Sequence, residues 1–265
     1  MTNTTAAKHR ALAGVLTLGV AIAASGVSTR AAAQTTPTQE SRTMTTQNTA
    51  PVADTLSAQQ QAILPIAAFA AAGDIAKLNT ALNQGLDAGL TISDAREVLV
   101  QLYAYAGFPR SLNALTELMK VLDARKQRGI QDAPGREPSH AIPQGDALRA
   151  AGTTNQTRLV GQPVTGPIFE FAPAIGEYLQ SHLFGAIFER DNLDWQAREL
   201  ATVGFLSALP GAEAQLQSHM RVSLNVGLTV PQMQQAVQVL GERVGSDSGQ
   251  RASEALTKTL TARPR

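Results

Sequence analysis

A chain of 265 residues has enough material for one domain or two small ones with a full core. Its formal net charge of +1 removes any electrostatic case for nucleic acid or an anionic membrane, and the absence of cysteine excludes disulfides, thiol redox chemistry and thiolate metal sites. Charged residues are 16% and aromatics 4%, against roughly 25% charged in an average domain, so this alanine-rich chain points to closely packed helices.

Lys8 and Arg10 precede a small, apolar run from Ala11 to Val27, and Ala31, Ala32 and Ala33 stand before Gln34. This pattern predicts a secretory signal peptide over residues 1–33, cleaved after Ala33, and a periplasmic or secreted product without stable membrane insertion afterwards. Residues 34–56, rich in Thr, Gln, Ser and Pro, are expected to be a disordered lead-in.

Residues 57–125 read as a first helical unit, with a break at Gly107, Phe108 and Pro109 and a further helix to about Arg125. Glu97, Tyr103, Tyr105 and Asn113 are its notable polar residues. Tyr103 and Tyr105 fall on different helix faces, so at most one is expected to meet a pocket, and Glu97 is expected only to cap or pair. Residues 126–173, with many prolines and glycines, form a linker holding one short helix around Asp146 to Leu159. His140 lies in that linker, and His182 in a helix from about Ala174 to Arg190, where packing or surface exposure is the expected role.

The second unit, 174–244, contains the stretch from Trp195 to Leu240, read as three helices with two sharp breaks. Asp194 is the expected N-cap of the first, and Pro210 and Gly211 break the chain. Leu216, Met220 and Leu224 form the apolar stripe of the second, which Gly227 ends. Thr229 and Gln232 fit a capping box for the third, which buries Met233, Ala236, Val237 and Leu240. Residues 245–265 are polar and are expected to be a frayed tail.

In the hairpin of the first two of these helices, Glu199 and His219 fall within about one turn of each other along the axes. A carboxylate on a largely apolar strip beside an imidazole is the usual setting for proton transfer. The plainer alternative is a satisfied core histidine, with Glu199 bonded to Arg198, Arg221 or a neighbouring subunit.

The two units repeat one another. AGLTISDAREVLVQL, from Ala88, aligns with VGLTVPQMQQAVQVL, from Val226, so that Gly89 and Gly227 define an offset of 138 residues. Ala95, Val98, Leu99 and Leu102 then map onto Met233, Ala236, Val237 and Leu240, while Gln61 stands where Glu199 does and Ala81 where His219 does.

The segments EVLVQLYAYAGFPRSLNAL, HLFGAIFERDNLDWQARELATVGFLSAL and QLQSHMRVSLNVGLT resemble the carboxymuconolactone decarboxylase family, which includes alkylhydroperoxidase D-like proteins. The resemblance covers about Gln59 to Val244 and implies an all-α fold, a tandem-duplicated helical bundle that assembles as a homotrimer or other homo-oligomer with pockets near subunit contacts. In the peroxidase branch a Cys-x-x-Cys precedes the histidine, at positions that are Ala212 and Gln215 here, so no peroxidatic nucleophile is present. The decarboxylase branch needs neither thiol nor cofactor. It implies His219 as the acid, Glu199 as its orienting partner and Arg198 or Arg221 for the charge of a small-molecule substrate, with general acid/base chemistry on a lactone or carboxylic acid. That branch acts in the cytoplasm, whereas this chain carries an export signal, which favours an exported relative with a different small substrate.

Spacing supports no other chemistry. There is no His-Glu-x-x-His helix, no phosphate-binding Gly-x-x-x-x-Gly-Lys loop and no Gly-x-Ser-x-Gly elbow, and the four histidines are scattered.

Overall fold

The computed structural model describes residues 54–262, and these form eleven α-helices and one π-helix with no strand. The expected signal peptide and nearly all of the lead-in lie outside the described residues. No helix among those described is long and apolar enough to cross a membrane.

Two helices that are apolar nearly all round form the centre. Helix α1 (Ala58–Ala72) buries an unbroken run from Ala62 to Ala71, and α8 (Trp195–Ser207) buries every residue from Ala197 on. A helix without a polar face has to be enclosed by others. These two lie along each other, and at their crossing Gly204 has no side chain to hold them apart. A Cβ there would stand 2.7 Å from the Ala67 Cβ and 2.8 Å from the Leu64 carbonyl oxygen.

Helices α2 (Ile75–Asp87), α3 (Ile92–Gln101) and α4 (Tyr103–Gln127) pack about α1. Helices α9 (Glu213–Asn225), α10 (Val230–Arg243) and α11 (Ser246–Thr261) pack about α8. The expected local signals are present. Asp194 accepts from Ala197 N–H at 2.7 Å, Thr229 and Gln232 form a reciprocal capping box, and Thr91 and Asp94 form another. Gly73 and Gly211 have φ of 72° and 87°, a left-handed conformation that favours glycine. Helix α4 is two helical pieces joined at Gly107, which has φ 79° and ψ 163°, so the expected break is there.

Three expectations need correction. The C-terminal segment is not a frayed tail: α11 buries Gly249, Ala252, Ala255, Leu256 and Thr259, and Arg251 Nε donates to the Ser207 carbonyl at 2.7 Å. Its buried side sets Leu256 among small residues at helical spacing, a pattern that the polar average of the segment conceals. Leu56, placed in the lead-in, is buried, and its N–H donates to Gln235 Oε1. The helix expected from Ala174 to Arg190 is a short α7 (Pro173–Tyr178) followed by a π-helix over Leu179–Ile187.

The linker is anchored rather than loose. Its start is tied to α3 through Ile92 and Ser93 N–H donating to Ala133 and Pro134 carbonyls. Its expected helix is α5 (Gly145–Val160), followed by a short α6 (Pro167–Phe171). Helix α5 lies so close on the π-helix that a Cβ on Gly152 would fall 1.7 Å from the Gln180 carbonyl oxygen. Leu159, Leu183, Phe184, Ile187, Phe188 and Val222 make a second apolar cluster there.

Gly204→Val should destabilise the protein by about 2 kcal/mol or more, because α1 backbone has to move to admit the side chain. Chemical denaturation measures this, and a midpoint unchanged from the wild type would refute the close crossing.

Candidate active site

Helix α8 carries two adjacent charged residues, Arg198 and Glu199, both with 0% exposure. Burying unpaired charges costs several kcal/mol each, so their partners decide what the region can do. They do not pair with each other.

Arg198 turns toward α3. Its Nη2 lies 3.1 Å from Glu97 Oε2 and donates to the Arg190 carbonyl at 2.7 Å, and its Nη1 donates to Gln101 Oε1 at 3.3 Å. Glu97 is itself fully buried and accepts a fork of bonds from Arg190, at 2.9 Å from Nε and 2.6 Å from Nη2. Burial drives the Glu97 carboxyl upward, but hydrogen bonds from Arg190 and Asn192 and the charges of Arg198 and Arg190 outweigh it and hold the group below the ordinary glutamate range. Burial also lowers Arg198, with Glu97 opposing.

Glu199 turns the other way, toward α9. Its Oε2 lies 2.7 Å from His219 Nδ1, while its Oε1 is buried without any hydrogen-bond partner. The His219 side chain is 15% exposed, and Nε2 has no hydrogen-bond partner among the described residues. A carboxylate accepting from Nδ1–H fixes the tautomer that leaves Nε2 as the reactive nitrogen. The hairpin geometry expected from the sequence is therefore formed.

A third group closes the pair. Tyr105 stands edge-on to His219 with ring centroids 5.8 Å apart, and its hydroxyl lies 3.3 Å from Thr202 Oγ1. Thr202 in turn accepts from Gln101 Nε2 at 2.8 Å. Burial, and then the charge of Glu199, push the Tyr105 phenol far up, so it stays protonated at neutral pH. Of the two tyrosines, Tyr105 meets the histidine. Tyr103 stacks on Phe108 at 4.7 Å and lines a separate hollow of about 280 Å³ with Tyr178 and His182.

The two arginines are not where the substrate role would need them. Arg198 is enclosed and bonded to Glu97 and Gln101, so its guanidinium faces no solute. Arg221 is exposed on α9, two positions beyond His219 and so about 200° around the helix, on a different flank. Arg190 and Thr202 were not singled out from the sequence. Arg190 lies between the π-helix and α8, and only its contact with Glu97 reveals its part.

Residues 173–258 match the model of the carboxymuconolactone decarboxylase family, a span that runs from α7 into α11 and contains Arg198, Glu199 and His219. No curated protein matches the chain.

Glu97→Ala should destabilise the fold by about 3–5 kcal/mol, because it strands a buried guanidinium. Since the folded carboxyl titrates below its ordinary value, its contribution is complete above the ordinary glutamate range and is lost as pH falls through the depressed value. Glu97→Gln should therefore flatten the acid limb of stability measured by denaturant titration across pH. An acid limb identical to that of the wild type would refute this.

Proposed function

From the family match over α7 to α11 and the imidazole–carboxylate pair within it, we propose that this chain is a cofactor-free lyase or isomerase that acts on a small lactone or carboxylic acid by general acid/base chemistry. The observation that carries this reading is the 2.7 Å contact of His219 Nδ1 with a fully buried Glu199 whose second oxygen is unpaired. A carboxylate so placed holds the ring and stabilises the imidazolium.

In the decarboxylating version, the C–C bond to the leaving carboxylate breaks and CO2 departs. The electron pair passes into the conjugated carbonyl as a dienolate, and His219, having taken a proton from solvent at Nε2, delivers it to carbon as the imidazolium. Tyr105, protonated and beside the ring, is a donor available to the developing oxyanion. A thiol peroxidase reading lacks its nucleophile, because the chain contains no cysteine.

The chain is further read as two tandem copies of one unit. Helices α2 and α9 have the same length and start 138 residues apart, the turn glycines Gly73 and Gly211 and then Gly89 and Gly227 share positive φ, and capping boxes open both α3 and α10. Copies of the chain are proposed to join as a homotrimer or other homo-oligomer. The support is an apolar stripe on α4, where Phe108 is 64%, Leu112 59% and Met119 66% exposed, at the spacing of one helix face. The leader pattern supports export to the periplasm or medium.

One observation favours a second reading, a binding or structural oligomer without turnover: the best-formed hollows among residues 54–262 are lined by neither His219 nor Glu199. On the enzymatic reading a neighbouring copy supplies the missing wall.

The test combines CO2 release from a dicarboxylate lactone with deuterium incorporation from heavy water into enolisable acids. His219→Ala should lower kcat by at least about 100-fold with the oligomer intact, and Glu199→Gln should lower it as well. Equal turnover in wild type and both variants would remove the pair from the chemistry, and no turnover of any substrate by the wild type would favour the silent oligomer. Leu112→Glu with Met119→Glu should yield monomers by light scattering, and an unchanged assembly would refute the α4 contact.

A further inference from the structure

A second site stands at the counterpart position of the first half. Between α1, α2 and α10 lies a hollow of about 790 Å³, lined among others by Phe69, Lys77, Thr80, Ala81, Gln84 and Arg243. That volume falls within the range of small-molecule sites, roughly 300–1,000 Å³. No acidic side chain lines it.

The offset of 138 residues carries two groups of the His219 site onto the lining of this hollow and a third, Gln61, beside it in contact with Arg243. Ala81 takes the place of His219, Gln61 that of Glu199, and Arg243 that of Tyr105. Gln61 and Arg243 touch, Arg243 Nη2 donating to Gln61 Oε1 at 3.2 Å. Each change acts in the same direction. Reducing an imidazole to a methyl opens space, turning a carboxylate into a carboxamide removes the charge that would repel an anion, and replacing a phenol by a guanidinium adds a permanent cation.

Among the described residues Arg243 pairs with no carboxylate, and Gln61 Oε1 occupies only one of its donors. Lys77, with its ammonium 5.6 Å over the Phe69 ring, adds positive charge to the same wall, partly offset by Asp74 at 3.1 Å. Of the remaining lining, Pro65, Phe69, Ala76 and Ala81 are apolar, and Thr80 and Gln84 are polar but uncharged.

We infer that this hollow binds a small aromatic or alicyclic carboxylate, with its carboxylate on the Arg243 guanidinium and its ring against Phe69 and Pro65. A guanidinium matches a carboxylate through two parallel hydrogen bonds, and the apolar wall accepts the body of such an acid. With no imidazole or carboxylate in its lining, the site binds without turning over. The inference does not depend on the activity proposed for His219, because the cavity and its charges are present whatever that pair does.

The experiment is a ligand-observed fluorine NMR titration of 4-fluorobenzoate into the full chain, with 4-fluorobenzamide as the neutral comparison. The wild type should bind the acid and bind the amide weakly or not at all. Arg243→Gln, at an exposed position, should weaken binding of the acid by about fivefold or more. Ala76→Trp, which fills the hollow from an exposed helix position, should abolish it, and His219→Ala should leave it unchanged. No binding by the wild type, equal binding of acid and amide, or indifference to Arg243→Gln and Ala76→Trp would each overturn the proposal. Binding lost in His219→Ala but kept in Arg243→Gln would place the molecule at the other site and overturn it equally.

Discussion

The arrangement of this protein turns on how a buried arginine is neutralised. Arg198 and Glu199 are neighbours in sequence, both fully enclosed on α8, and successive helix positions do not face each other, so each needs a partner from another helix. Glu97 on α3 takes Arg198. The Glu199 carboxylate is taken by a histidine on α9. A second arginine, Arg190, forks onto the same Glu97 and keeps it ionised against the cost of burial. The ion pair thus clamps α3 on α8, while the next carboxylate, pointing another way, joins α8 to α9.

Much of the architecture is readable from the chain because it is written in local chemistry. Asp194, Thr91 and Thr229 are oxygen-bearing residues at helix starts, and each accepts the N–H three residues on. Gly107 and Gly211 sit at breaks that need positive φ. The Glu199 and His219 contact follows from the same logic, since a hairpin with a short turn places residues equidistant from the turn side by side. Where the reading failed, the cause is equally physical. The buried face of α11 sets one leucine, Leu256, among serine, glycine, alanine and threonine, so its packing rests mainly on close approach.

Partners far apart in sequence were beyond reach. Glu97 and Arg198 are separated by about a hundred residues, and nothing in either segment says that they meet. Arg198 looked available for a substrate because a mid-helix arginine is ordinarily a surface residue, whereas here it is enclosed at the junction of α3, α8 and the end of the π-helix. The π-helix is likewise marked by no residue pattern of its own, and Gly152 of α5 lies against its Gln180 carbonyl.

The interlocking of the two halves has a consequence for inheritance. Around His219 the supporting groups Glu97, Gln101 and Tyr105 come from α3 and α4, and around Ala81 the guanidinium comes from α10. Neither half owns the environment of its own helices, so a recombination event that replaced one half with that of a divergent relative would leave mismatched surroundings on both sides. Sequence drift in α3 and α4 is accordingly judged through α8 and α9, and the two halves of the gene are bound to change as one piece.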